Sequence, residues 1–108
     1  MIQLTVLYDH PQNPEAFDRH YQGTHVSLAK KIPALKGYTS ARSTALSPQE
    51  QPRYYLIANL YFENMEALQF ALQSPEGRAA ASDLSNFATG GAVLVVGEVE
   101  VYDPVAMS

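Results

Sequence analysis

The chain has 108 residues, 46% of them hydrophobic, which is enough for one folded domain with a modest core and too few for two. Seven basic residues against eleven acidic residues leave a formal net charge of −4, which argues against a nucleic-acid-binding surface and against an anionic membrane. There is no cysteine, so disulfides, thiolate catalysis and cysteine-ligated zinc or iron–sulfur clusters are excluded.

The same sequence predicts a soluble, cytoplasmic protein that forms one domain over residues 1–108. No apolar stretch approaches the length of a membrane-spanning helix. The first residues, MIQLTVLYDH, have no basic leader followed by a long apolar run, so we expect no signal peptide. A protein of this size without disulfides also fits a reducing compartment.

The first half of the chain is predicted to be a strand, a helix and a second strand. Residues 2–8 are mostly β-branched or aromatic, which favours a strand. Asn13 and Pro14 form a helix start, with Asn as the N-cap and Pro at the first helical position. We expect this helix to continue to about residue 31, because Pro33 then stops it. Residues 37–46 are predicted as the second strand.

The second half repeats the pattern in the order strand, helix, strand. Residues 53–62 alternate along a strongly strand-like segment, and residues 92–102 are rich in valine. Asn64 and the Ser74-Pro75 pair start the helical segments between them. The order βαββαβ is typical of an α+β, ferredoxin-like fold with a four-stranded antiparallel sheet and helices on one face.

This fold leaves one face of the sheet without helices. The first, third and last strands nevertheless carry apolar or aromatic side chains on both faces. An exposed apolar sheet face is a contact site, and the simplest partner is a second copy related by a two-fold axis. We therefore predict a homodimer formed through the sheet face.

The first helix carries the most informative residue of the chain, His25. Phe17, Tyr21 and Leu28 recur at helical spacing on one face, and on a regular helix His25 lies roughly 50° from the centre of that face. Histidine is the side chain whose ordinary pKa is nearest to neutral pH. The pattern indicates a small binding or catalytic pocket around His25. Tyr21, one turn earlier, could orient a substrate oxygen in the same cavity.

Metal and cofactor sites are not expected. His20 and His25 are five residues apart, roughly 140° around a regular helix, so they should not hold one ion from the same face. Asp18 lies two turns from His25 and cannot contact its imidazole. The chain contains no HExxH spacing, phosphate-binding loop or dinucleotide fingerprint.

Specific segments of this chain resemble the EthD family, small proteins named for ethyl tert-butyl ether degradation, within the dimeric α+β barrel superfamily. The resemblance runs through Tyr8, Asn13-Pro14, Phe17, Tyr21, the segment THVSLAKKIP and Gly37-Tyr38, and it continues over residues 64–87. It implies a ferredoxin-like protomer and a dimer whose two sheets close into a barrel. It also implies a pocket between sheet and helices in which His25 is the functional polar group.

The candidate site residues each have a structural alternative. His25 could be an acid, a base or a hydrogen-bond donor to a ligand, or it could simply bond to a nearby carbonyl. Asn59, a polar residue in an apolar strand, needs a hydrogen-bond partner, which could be substrate, protein or a dimer contact. The other candidate pocket walls, each of which could instead be core or interface, are Tyr8, Phe17, Leu28, Tyr38 and Tyr61.

We expect a small cofactor-independent enzyme of the EthD type that acts on an apolar, oxygen-bearing small molecule. His25 would move a proton while Tyr21 holds an oxygen atom. Superfamily relatives include cofactor-free monooxygenases, lactone isomerases and polyketide cyclases or decarboxylases, so oxidation, isomerisation and decarboxylation all remain open. One alternative is a non-catalytic small-molecule-binding or accessory protein of an oxygenase or degradation pathway. Another is a domain whose pocket is vestigial.

Overall fold

Four strands form an antiparallel sheet in a computed structural model of the protein, which describes residues 1–105. The strands are β1 (Ile2–Tyr8), β2 (Gly37–Arg42), β3 (Leu56–Phe62) and β4 (Ala92–Glu98). Their order across the sheet is β2-β3-β1-β4, and each neighbouring pair is antiparallel. The predicted α+β, ferredoxin-like fold is confirmed.

The strands are shorter than the sequence suggested. β2 was expected to reach residue 46 and ends at Arg42, and β3 was expected from residue 53 and begins at Leu56. The proline-containing segment between them interrupts the ladder. β4 ends at Glu98 rather than near residue 102. Glu98 pairs with Ile2 of β1, and one further bond joins the Val99 N–H to the Met1 carbonyl.

The two faces of the sheet differ in burial. One face, called the inner face here, is covered by helices and carries the buried core residues of the two central strands. These residues are Ile2, Leu4, Val6, Tyr8, Leu56, Ala58, Leu60 and Phe62. The opposite, outer face carries the alternate residues of the same strands, which are only partly buried.

The helices begin at the predicted residues. They are α1 (Pro14–His20), α2 (Val26–Lys30), α3 (Met65–Gln73) and α4 (Pro75–Phe87). Side-chain oxygens of Asn13, Asn64 and Ser74 accept the backbone N–H three residues later, which satisfies donors that the helix leaves free. None of the helices in residues 1–105 combines the length and the apolar character needed to cross a bilayer.

The predicted single helix from residue 14 to about 31 is wrong in its centre. Residues Tyr21–His25 form a π-helical segment between α1 and α2, and the N–H of Val26 bonds to the carbonyl of Tyr21, five residues earlier. A π-helical turn takes one residue more than an α-helical turn, and such segments are frequent at functional sites. The extra residue rotates every side chain that follows relative to α1.

Candidate functional site

A small cavity lies between the inner face of the sheet and the helices. Its volume is about 60 Å³, and its walls are mostly aliphatic. Three polar side chains also line it: Tyr8 from β1, His25 from the π-helical segment and Tyr38 from β2. An apolar cavity with a few converging polar groups is the usual form of a small-molecule site. The predicted chamber beside His25 therefore exists in the structure.

The π-helical segment brings His20 and His25 onto the same side of the helix. Nδ1 of His25 lies 2.9 Å from Oδ2 of Asp83, and Nε2 of His20 lies 2.8 Å from Oδ1 of the same carboxylate. The prediction that these two histidines point apart is wrong, because it assumed 3.6 residues per turn. Over a π-helical turn, residues five apart are aligned.

Asp83, on α4, joins the two histidines, and it was not among the predicted site residues. Its side chain is only 5% exposed, and it accepts hydrogen bonds from Asn86 as well as from the two histidines. Burial alone would raise the pKa of this carboxyl, but the three hydrogen bonds outweigh burial and hold the pKa below its usual value. Asp83 is therefore an ionised carboxylate at neutral pH.

The protonation of His25 follows from its contact with Asp83. Burial lowers the pKa of the imidazole below its ordinary value, although the hydrogen bond to Asp83 acts in the opposite direction. The ring is therefore neutral at pH 7 and carries one proton. An ionised carboxylate only accepts hydrogen bonds, so that proton lies on Nδ1 and Nε2 has a free lone pair.

The second ring nitrogen of His25 has no protein partner. No described residue hydrogen-bonds to Nε2, and within residues 1–105 no fully enclosed side-chain nitrogen or oxygen lacks a partner. Nε2 is therefore not sealed inside the protein, and the residue that carries it lines the cavity. A neutral imidazole with one nitrogen held by a carboxylate and the other free is arranged to accept a proton.

Two tyrosine hydroxyls complete the polar part of the site. Burial raises the pKa of Tyr8 and of Tyr38 well above the usual range of a phenol, so both stay protonated at neutral pH. The hydroxyls of Tyr38 and Tyr21 lie 2.6 Å apart and are hydrogen-bonded to each other. The hydroxyls of Tyr8 and Tyr38 are suited to donate to a substrate oxygen and not to remove a proton.

Phe87 packs against both histidines and fixes their positions. Its ring centroid lies 4.8 Å from that of His25 and 5.1 Å from that of His20, and the residue is 3% exposed. Tyr21 also stacks on His25, with centroids 5.6 Å apart. These contacts leave the imidazole of His25 little freedom to turn away from Asp83.

The structure brings together only some of the predicted site residues. Tyr8, His25 and Tyr38 line the cavity, and Tyr21 lies behind it, hydrogen-bonded to Tyr38. Phe17 is buried against the ring of Tyr8 and supports the site without lining the cavity.

Besides Phe17, three more predicted wall residues do not line the cavity. Asn59 and Tyr61 lie on the outer face, because β3 alternates and its neighbours Ala58 and Leu60 occupy the inner face. The amide oxygen of Asn59 instead accepts a hydrogen bond from Thr5, at 2.7 Å. Leu28 is half-buried beside Pro75 on the far side of α2 and does not line the cavity.

The described part of the chain shows no set of side chains that could bind a metal ion. Within residues 1–105, no three histidine, aspartate or glutamate side chains are placed to hold one ion. Asp83 uses both of its oxygens to accept hydrogen bonds from protein donors.

Comparison with known proteins identifies the family. The model of the EthD domain matches residues 9–91. The chain belongs to the EthD family. An uncharacterized 11.0 kDa protein from the thcB-thcC intergenic region of Rhodococcus erythropolis is 38% identical over 104 residues, covering 96% of this EthD chain and 100% of its own. A crystal structure of an EthD family protein from Bacillus halodurans C-125 is 36% identical, with a TM-score of 0.86, and covers 93% and 99% of the two chains.

More distant structures share the fold of this EthD protein. A dimeric ferredoxin-like protein from Thermobifida fusca has a TM-score of 0.69 at 17% identity, covering 91% of this chain and 90% of its own. SnoaB, a cofactor-independent oxygenase from Streptomyces nogalater that was solved as a mutant, has a TM-score of 0.65 at 16% identity and covers 96% of both chains.

Proposed function

We propose that this EthD protein is a small cofactor-independent enzyme in which His25 accepts a proton from an apolar, oxygen-bearing substrate. The observation that carries the proposal is the hydrogen bonding and protonation of the His25 imidazole. Nδ1 of His25 is held by the buried carboxylate of Asp83, and the ring lines an apolar cavity. We infer that the unbonded Nε2 faces that cavity. The fold shared with a cofactor-independent oxygenase is compatible with this chemistry but does not select it.

The proposed step is removal of a proton from a carbon next to a carbonyl group. The C–H bond breaks, the proton moves to Nε2 of His25 and the electron pair stays on the substrate as an enolate. Asp83 stabilises the imidazolium that forms. The hydroxyl of Tyr8 or Tyr38 donates a hydrogen bond to the enolate oxygen, where negative charge develops.

The fate of the enolate decides the reaction type. Return of the proton to a different atom completes an isomerisation, whereas attack of the enolate on molecular oxygen begins an oxidation. In a decarboxylation the proton of the substrate's carboxylic acid first moves to Nε2 of His25. The C–C bond then breaks, carbon dioxide leaves, the electron pair stays on the substrate as a carbanion, and the imidazolium returns the proton to that carbon. All three reactions use His25 as the acid–base group. The geometry of the site therefore supports proton transfer by His25 without selecting isomerisation, oxidation or decarboxylation.

A non-catalytic ligand-binding or accessory role is the second candidate. The hydrogen bonds from His20 and His25 to Asp83 also tie α4 to the first helical region, and a purely structural cluster would look the same. Such a protein would need the apolar cavity but not a free basic nitrogen.

The His25→Gln variant separates the two candidates. The purified protein is incubated with a panel of hydroxylated aromatic ketones, and oxygen uptake and product formation are followed. For an enzyme, His25→Gln should lower turnover by about 10²–10⁴-fold, because general-base catalysis contributes about that much. His10→Gln is the matched control, since His10 lies in a loop and bonds to the Pro52 carbonyl outside the cavity. Wild-type turnover in His25→Gln would exclude the proposed mechanism, and binding without turnover in both proteins would favour the second candidate.

We also propose that this chain forms a homodimer through the outer face of its sheet. Val93 and Val95 of β4 are 45% and 48% exposed and lie on the outer face, opposite Leu7 and Thr5 of β1. A second copy would cover this apolar surface, and a protein of the same fold is described as dimeric. Sedimentation velocity at micromolar concentration should show a dimer, and a single monomer boundary would contradict the pairing. The cytoplasmic location stays a prediction.

A further inference from the structure

An open groove lies beside the His25 cavity, between the π-helical segment with α2 on one side and β2 on the other. Its volume is about 510 Å³. The range for small-molecule sites is about 300–1,000 Å³, so the groove is large enough for a ligand, whereas the cavity of about 60 Å³ holds only a few atoms. A substrate of ordinary size that places its reacting atoms beside His25 must therefore extend beyond the cavity.

The groove is positively charged in a protein that is negatively charged overall. The three lysines of the chain are Lys30, Lys31 and Lys36, and two of them, Lys30 and Lys36, line the groove. No acidic side chain among residues 1–105 lines it, and neither lysine forms an ion pair with any residue of the described chain. Exposed ammonium groups without protein partners are available to an anionic ligand group.

Tyr38 forms part of the wall of both the groove and the cavity. It is half-buried, and its hydroxyl is held by Tyr21. Val26 and Leu35 add apolar surface to the groove. Tyr38 is therefore the wall that the groove and the cavity share, and an elongated molecule bound along the lysines and the apolar wall would have to pass this side chain to reach His25.

We propose that the groove binds the carboxylate of an elongated apolar acid, with the carboxylate at Lys30 and Lys36 and the apolar end directed past Tyr38 into the His25 cavity. This rests on the proposed function for the reaction at His25, but the binding preference does not depend on it. The substrate class is thereby narrowed from apolar oxygen-bearing molecules to those that also carry an anionic end.

The test compares two narrow probes of the same shape, octanoate and its uncharged amide, by NMR titration at low ionic strength. Exposed ion pairs contribute little each, so two lysines should make the acid bind about threefold to tenfold more tightly than the amide. Lys30→Gln combined with Lys36→Gln should abolish that preference. Lys31→Gln is the matched control, because Lys31 lies beside Leu28 outside the groove and should leave the preference unchanged. Signals of Leu4 and Ala80, which line the cavity, should shift with the acid.

Several results would overturn the proposal. Equal affinity for the acid and the amide in the wild type would exclude a carboxylate site, as would an undiminished preference in the double variant. Shifts confined to the groove, without any at Leu4 or Ala80, would exclude passage by Tyr38. The acid preference should persist in His25→Gln, because His25 does not line the groove. If the acid binds more tightly than the amide but turnover does not depend on His25, only the proposed catalytic function is refuted. If turnover depends on His25 but the acid and the amide bind equally, only the proposed carboxylate site in the groove is refuted.

Discussion

Replacing Asp83 by asparagine should lower turnover by about 10²–10⁴-fold, the range expected when a general base is disabled. The carboxylate accepts from Asn86 and, at 2.8 Å, from His20 at Oδ1, and from His25 at Oδ2, which also lies 3.0 Å from Nε2 of His20. An asparagine has only one acceptor oxygen. His20 and Asn86 would hold that oxygen in the position that Oδ1 occupies in Asp83. The NH₂ group of the asparagine would then face Nδ1 of His25 and donate to it. The remaining ring proton would move to Nε2, which could no longer accept a proton.

The measurement is the initial rate with whichever substrate of the ketone panel the wild type converts. Asp18→Asn is the matched control, because Asp18 also accepts two hydrogen bonds, from Arg42 and Tyr55, but lies outside the cavity. Thermal unfolding of both variants shows whether the fold is retained. A folded Asp83→Asn protein that keeps the wild-type rate would show that Asp83 does not set the protonation of His25.

Replacing Phe87 by alanine should have the largest effect on stability. Phe87 is buried at the end of α4 and its ring centroid lies within 6 Å of those of Tyr8, Phe17 and Tyr21 as well as of both histidines. Removing a buried phenylalanine leaves a cavity and typically costs about 3–5 kcal/mol of unfolding free energy. This is a large share of the roughly 5–15 kcal/mol by which a domain is stable.

Urea denaturation followed by circular dichroism, at one fixed protein concentration, measures the loss. Phe70→Ala is the matched control, since Phe70 on α3 is 63% exposed and its removal should change the unfolding free energy by less than about 1 kcal/mol. Equal losses in the two variants would show that Phe87 is not a central core residue.

The parts of the fold that were predictable depend on local rules. The capping residues Asn13, Asn64 and Ser74 mark helix starts because their side chains bond to the backbone a few residues later. The alternation in β1 and β3 separates two faces of the sheet correctly. Because both faces carry apolar residues, alternation alone could not show which one meets the helices. Asn59 and Tyr61 were therefore assigned to the cavity although they lie on the outer face.

The parts of the site that were missed depend on tertiary structure. A helical wheel with a fixed angle per residue cannot anticipate the π-helical segment Tyr21–His25, which aligns His20 with His25. The sequence gives only weak evidence for Asp83. This residue lies on the buried face of α4 with Ala80 and Phe87, and an acidic side chain on a buried face needs hydrogen-bond partners. The identity of those partners comes only from the packing of α4 against the first helical region.

The contact between His25 and Asp83 predicts an imidazole that is neutral at pH 7, with its proton on Nδ1 and its lone pair on Nε2. Nitrogen-15 NMR of the imidazole in the wild-type protein tests this directly, because protonated and unprotonated ring nitrogens have different shifts. We expect a protonated Nδ1, an unprotonated Nε2 and a titration midpoint below the ordinary histidine pKa of 6.5. A proton on Nε2 at neutral pH, or a midpoint above 6.5, would contradict it.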